Sequence, residues 1–297
     1  MELINRNSNS INKLKVFAEM IKFEHTIFAL PFAYMGAFLA QKGIPGVYSL
    51  FWITMAMVGA RTAAMSLNRL IDRHIDARNP RTAERAIPKG LLSVTEVWGY
   101  VVVSFGILFL SAYMLNPLCV KLMPIAVFFL VIYSYMKRIS WICHLVLGIA
   151  LGLAPAGSWV AIRGSFDLPA VILGFAVTFW VAGFDIIYAC QDYDFDRQAG
   201  IHSIPARFGL TSALIIAKGM HIIAPLLLFG VAVLLKLGWL YLIGLVIAAV
   251  ILYYEHGLVK PNDLSKLNAA FFNMNGILSV VIFIFAVLDT LMPTQVF

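Results

Sequence analysis

The sequence is poor in charge. Of 297 residues only 12% are Asp, Glu, Lys or Arg, against about 25% in an ordinary soluble domain, while 61% are hydrophobic. Such a chain cannot clothe itself in polar surface, and its solvent is lipid. Acid is scarcest, with 15 Asp and Glu against 22 Lys and Arg. The three cysteines, Cys119, Cys143 and Cys190, are odd in number, far apart and without a CxxC pair, which points away from a disulfide framework and from a thiolate metal site. Neither a GxxxxGK[ST] loop nor a GxGxxG turn is present, so the usual glycine-rich phosphate cradles are missing. No long polar linker interrupts the apolar stretches from Val16 to Leu291, and one domain over 1–297 is expected. The start is polar through Ser10 and the first apolar run is too long for a signal core, so that run is expected to stay as structure.

What the chain has is apolar runs of about 20 residues, the length a helix needs to cross a hydrocarbon core. They fall at roughly 17–41, 48–67, 94–115, 118–136, 141–162, 168–189, 211–234, 237–255 and 267–291. The expected fold is an all-α integral membrane protein, a bundle of about nine transmembrane helices, multi-pass, with its ends on opposite sides. If the N-terminus is inside, fifteen Lys and Arg, from Arg6 through the 68–92 and 190–209 loops to Lys266, lie on the inner side. The outer loops then hold Lys42, Lys121, Arg163 and Lys236, an asymmetry that agrees with the positive-inside rule. The net charge of +7 is accounted for by these topogenic residues facing acidic lipid heads, and nucleic acid is rejected as a partner.

Chemistry concentrates in two acidic clusters at inner helix ends. Asn68, Asp72 and Asp76 are spaced i, i+4, i+8, which on a helix aligns one amide and two carboxylates on a single face. Asp192, Asp194 and Asp196 form the second cluster, with Asp192 and Asp196 again four apart. Oxygen donors in rows suit a hard cation such as Mg²⁺, held by one or two carboxylates with water and substrate phosphate completing the shell. Two such faces opposed across a cavity would clamp a diphosphate. Solvated loop charge is the ordinary reading of one acidic run. Two runs on one membrane face in an acid-poor chain favour a site.

Ionisable residues within spans are functional candidates by default. Arg61 and Asp185 each lie seven residues before a cluster, about two turns deeper on the same face. Arg61 is the candidate to grip the acid group of an aromatic substrate; the bland alternative is that Arg61 and Asp185 pair with each other for structure. Lys137 and Arg138, on the same inner side, are placed to reach a diphosphate or else serve as topogenic charge beside an interfacial aromatic belt. His25, His144 and His221 have no metal-ligand spacing and are expected to be hydrogen-bonded packing residues.

These residues resemble the UbiA superfamily of intramembrane prenyltransferases over almost the whole chain, and within it the 4-hydroxybenzoate polyprenyltransferases. Asn68, Asp72 and Asp76 meet the NxxxDxxxD signature. Arg81, Thr82, Arg85, Pro88 and Gly90 are similar to the family's RTxxRPLPxG loop, with Ala86 where proline is usual. Asp185, Tyr188, Ala189, Asp192, Asp196, Gly200, Ile201 and Ser203 follow its DxxYAxxDxxxDxxxGIxS segment, the more specific match. Residues 133–138 look like its YPxMKR loop with Ser134 for proline, Arg61 matches a family arginine, and Asn273 and Asn275 resemble its asparagine-bearing last helix.

The resemblance implies a central cavity open to lipid, Mg²⁺ on Asp72, Asp76, Asp192 and Asp196 with Asn68 beside them, and a diphosphate assisted by Lys137 and Arg138. A polyprenyl group would pass from its diphosphate to the ring of 4-hydroxybenzoate, in quinone biosynthesis, at the cytoplasmic face of a prokaryotic-type inner membrane. Asp185, Asp194 and the released diphosphate are the candidate bases. A naphthoate-like or futalosine-derived acid of menaquinone synthesis is the alternative acceptor. A secondary transporter with Arg61 and Asp185 on its path is the alternative of another class.

Overall fold

In hydrocarbon every backbone N–H and C=O must be satisfied within the protein, so a chain of this composition has helices or a closed barrel open to it. The structure, a computed structural model, describes residue 13 and residues 15–21, 26–292 and 296, with the backbone alone for 26–28; Arg6, His25 and the polar start through Ser10 lie outside the described residues. All the regular elements among them are helical. In chain order they are α1 (Thr26–Gln41), α2 (Val47–Asp76), α3 (Val94–Leu115), α4 (Pro117–Ile139), α5 (Cys143–Arg163), α6 (Leu168–Ala189), the short α7 (Tyr193–Ala199), α8 (Ile204–Leu235), α9 (Trp239–Leu258) and α10 (Asn275–Leu291). A 3₁₀ turn, Cys190–Asp192, joins α6 to α7, and a π-helical turn, Ala269–Met274, leads into α10.

Eight stretches among the described residues are long and apolar enough to cross a membrane. With α1, whose described helix is 16 residues, they agree with the bundle of about nine. The protein is an integral membrane protein. Two boundaries move. The second helix runs on to Asp76, so residues 68–76, expected at the start of an inner loop, are its last turns. The 190–209 segment holds α7 and the first turn of α8, which begins at Ile204 and changes direction at Gly209 (φ 80°). Neither polar stretch carries a long apolar run, which is why hydropathy ended the second span early and began the seventh late.

Local chemistry sets the helix ends. Ser93 and Glu96 form a reciprocal capping box on α3, and Asn116 accepts from the amides of Leu118 and Cys119 to start α4 with Pro117. Ser203 caps α8, and Gly200 at φ 68° stops α7. Between helices, lipid supplies no hydrophobic drive, and close backbone approach replaces it. A Cβ on Gly148 would lie 2.3 Å from the Thr178 carbonyl, and one on Gly152 would lie 2.4 Å from that of Gly174, so α5 and α6 meet backbone to backbone.

The densest packing joins α1, α5, α6, α8, α9 and α10 around Phe32, Met35, Leu173, Trp180, Tyr241 and Ile282. On the opposite side α2 stands apart from α5 and α6, and a cavity of about 1150 Å³ lies between them.

Candidate active site

The cavity is apolar for most of its length and charged at one end. Along α2 it is lined from Ile53 through Ala60 and Ala64 to Asn68, Asp72 and Asp76, a stretch that rises about 34 Å at 1.5 Å per residue. Among the α5 residues that line it, Cys143, Leu147, Ala150, Ala154, Gly157 and Ala161 repeat at intervals of three and four and form one stripe of the helix. Asp185 and Tyr188 on α6, Asp192, Asp196 and Ser203 beyond it, and Phe271 and Phe272 of the π-helical turn complete the polar end.

At that end carboxylates and basic side chains interlock. Asp72 is 1% exposed; its Oδ1 lies 2.9 Å from Arg138 Nη1, its Oδ2 pairs with the Lys137 ammonium, and Asn68 Nδ2 donates to the same Oδ2 at 3.0 Å. Asp76, 3% exposed, accepts from Arg85 Nη1 at 2.7 Å on both oxygens. Asp192 is held in a fork by Arg81, with Nη2 at 2.6 Å from Oδ2 and Nε at 2.9 Å from Oδ1, and Asn79 Nδ2 donates to Oδ1 at 3.0 Å. Arg81 also stands over the Tyr188 ring, 5.6 Å from its centre. Burial works against the Arg81 charge, and the Asp192 carboxylate more than offsets it, raising the guanidinium above its ordinary range. Buried Asp196 accepts from Ser203 Oγ at 2.9 Å.

Deeper in, Asp185 Oδ2 lies 2.7 Å from His144 Nδ1, and His144 Nε2 accepts from the Ile204 amide at 3.2 Å. A backbone N–H on Nε2 leaves the ring proton on Nδ1, where it is donated to Asp185. Asp185 thus has a histidine for its partner, where pairing with Arg61 was the bland expectation. Arg61 lines the cavity above Asn68.

Of the residues the sequence singled out, Asn68, Asp72, Asp76, Asp192, Asp196, Asp185, Arg61 and Lys137 all border this cavity. Asp194 does not: it is exposed, and its neighbours Asp192 and Asp196 turn inward while it turns out. Arg138 reaches the site through Asp72 and is absent from the cavity wall. Residue-by-residue reading missed Arg81, Arg85, Asn79 and His144 as members. The first two stood in the RTxxR loop, a legible signal; His144 had none beyond being a buried histidine. His221 is a hydrogen-bonded packing residue as expected, between Trp180 O at 3.1 Å and His256 at 3.0 Å.

The UbiA prenyltransferase family model matches residues 29–277. This chain belongs to the UbiA prenyltransferase family. It is a prenyltransferase of the membrane. Over 239 residues it is 30% identical to a 4-hydroxybenzoate octaprenyltransferase of Aliivibrio fischeri, covering 80% of this chain and 83% of the relative. A protein of the same name from Photobacterium profundum is 28% identical and covers 90% and 93%. Among solved structures, the apo structure of a UbiA homolog from Aeropyrum pernix K1 is 34% identical, superposes with a TM-score of 0.82, and covers 90% of this chain and 98% of that one. A UbiA homolog from Archaeoglobus fulgidus bound to GPP and Mg²⁺ shares the fold at 21% identity, with a TM-score of 0.66 and coverage of 91% and 98%.

The donor set around the cavity mouth tests the metal. Asp72, Asp76, Asp192 and Asp196 border it with carboxylates, and Asn68 and Asn79 stand beside them, their amide nitrogens donating to Asp72 and Asp192. No group of three or more His, Cys, Asp and Glu among the described residues converges on one point. Carboxylates set in pairs suit Mg²⁺, which leaves most of its shell to water and phosphate.

Proposed function

We propose that this enzyme transfers a polyprenyl group from its diphosphate to the ring carbon ortho to the hydroxyl of 4-hydroxybenzoate. We further propose that it does so as one catalytic domain over 1–297, at the cytoplasmic face of an inner membrane with its N-terminus on that side. The observation that carries the reading is the cavity itself: long and apolar, with Asp72, Asp76, Asp185, Asp192 and Asp196 gathered at one end beside Arg81, Arg85 and Lys137. A lipid-like tail and a diphosphate head are the two halves of one substrate that such a cavity fits; two of the relatives named above are 4-hydroxybenzoate octaprenyltransferases, and the Archaeoglobus fulgidus homolog is bound to GPP and Mg²⁺.

Asp72 and Asp76 with Asn68, and Asp192 with Asp196, would hold Mg²⁺, which when bound offsets the charge growing on the departing diphosphate. Lys137, Arg138, Arg81 and Arg85, which neutralise the carboxylates in the free protein, would re-pair with phosphate oxygens. Their charge then serves substrate and leaving group in turn. The C–O bond breaks with its electron pair leaving on diphosphate, the allylic cation is attacked by the electron-rich ring carbon, and loss of the ring proton restores aromaticity. Asp185 is the side chain suited to take that proton. It lines the cavity, its second oxygen is anchored by His144, and Asp194 faces away. Arg61 would grip the acceptor carboxylate. Catalysis on this reading is charge stabilisation and positioning.

The test is transfer in liposomes by purified protein with Mg²⁺, a polyprenyl diphosphate and a panel of aromatic acids. Product from 4-hydroxybenzoate, abolished by EDTA and in Asp72→Ala and Asp192→Ala, is the expected result. Product from a naphthoate or futalosine-derived acid alone would move the enzyme to menaquinone synthesis, and intact diphosphate with every acid would refute the proposal.

A further inference from the structure

Gly157 is exposed in the middle of a buried helix. Its neighbours Pro155, Ala156, Ser158 and Trp159 are all buried, yet a Cβ built on Gly157 meets nothing within 4 Å. The open space is the cavity, which Gly157 lines between Ala154 and Ala161 on the small-residue face of α5. Elsewhere on α5 and α6 glycine is spent on helix contact: Gly148, Gly152 and Gly174 each face a carbonyl of the other helix. Gly157 does no such work. Its lack of a side chain leaves volume, and nothing in helix packing requires it; in a helix interior glycine costs about 1 kcal/mol relative to alanine.

Its height in the cavity is fixed by the helix. From His144, which marks the level of Asp185, to Gly157 is 13 residues, or about 20 Å at 1.5 Å per residue. An isoprene unit contributes four carbon–carbon links of about 1.5 Å, so it advances roughly 5 Å when extended. About four units therefore reach from the charged end to Gly157. The cavity continues past it to Leu115, Cys119, Ala161 and Phe166.

We propose that Gly157 is a chain-length-determining position: the donor tail runs along the α5 face and past residue 157, so this enzyme takes donors longer than about four isoprene units because glycine stands there. This rests on the prenyl-donor reading above. A side chain at 157 would project into the path and leave the charged end, about 20 Å away, untouched.

The experiment compares geranyl diphosphate with octaprenyl diphosphate in Gly157→Ala, Gly157→Leu and Gly157→Trp, with Mg²⁺ and the acceptor that the wild type uses. Gly106→Trp, on the outer face of α3 and away from the cavity, controls for bulk on a helix. The expected result is a long-to-short product ratio that falls with side-chain size, at least tenfold in Gly157→Trp, and does not fall in Gly106→Trp. A ratio equal to wild type throughout the series, or a fall of the same size in Gly106→Trp, would overturn the proposal. A variant that makes neither product is read by thermal protection. Protection lost for octaprenyl and kept for geranyl diphosphate supports the assignment, and equal loss overturns it. A wild type that makes no product with any acid would sink the reaction, while its length-dependent protection by donors, and that of the variants, would still decide where the tail lies.

Discussion

Removing Asp72 exposes how the charged end is balanced. Its carboxylate is 1% exposed and sits between Arg138 and Lys137, whose side chains are 32% and 28% exposed. Truncating one member of a fully buried ion pair costs about 3–5 kcal/mol because the survivor stays charged and dry. Here the survivors retain access to water for about a third of their surface, and exposed pairs are worth under about 1 kcal/mol. The cost of Asp72→Ala should fall between, about 2 kcal/mol, or a drop in apparent melting temperature of roughly 4–8 °C. Replacing Lys137 as well removes one of the two stranded cations. The double variant Asp72→Ala/Lys137→Met is therefore expected to recover about half of the loss, a coupling of about 1 kcal/mol in a double-mutant cycle. The assay is thermal unfolding of purified protein in detergent with EDTA, so that the ion pairs alone are read. An Asp72→Ala protein melting within about 1 °C of wild type, or a double variant worse than the sum of its singles, would show that these cations do not depend on Asp72 and would refute the argument.

Three further outcomes are expected. Arg81→Lys keeps the charge and loses the fork on Asp192, so kcat/KM for the donor should fall by about 10- to 100-fold while Arg81→Ala falls further; equal activity of Lys and Arg would deny the fork a role. Arg61→Ala should raise KM for the aromatic acid and leave KM for the prenyl diphosphate within about twofold, and steady-state kinetics with each substrate varied in turn will show it. Gly148→Ala drives a Cβ to 2.3 Å from the Thr178 carbonyl, an overpacking expected to cost about 1–3 kcal/mol; thermal unfolding beside Gly106→Ala, whose added carbon meets nothing within 4 Å, provides the comparison.

How far the sequence reached depended on the range of the interaction. Membrane class and helix number are written in composition and run length, because lipid admits few alternatives. The spacing of Asn68, Asp72 and Asp76 placed three donors on one helix face by local geometry, and Asp192 with Asp196 followed the same rule although a 3₁₀ turn intervenes. Asp194 shows the limit of that rule. Two residues from each partner, it has the same charge and the opposite orientation, and only the turn of α7 separates them.

The sequence by itself determined that this is a membrane bundle with two acidic helix ends on one side. Which cation meets which acid was decided by the tertiary structure: Arg81 and Asp192 are 111 residues apart, Lys137 and Asp72 are 65 apart by number, and His144 and Asp185 are 41 apart. Nothing local selects those partners. His144 and Asp185 meet because α5 and α6 close on each other through Gly148, Gly152 and Gly174, while α2 is held off across the cavity; the gap between them, like the room at Gly157, is a property of packed helices and of no single segment.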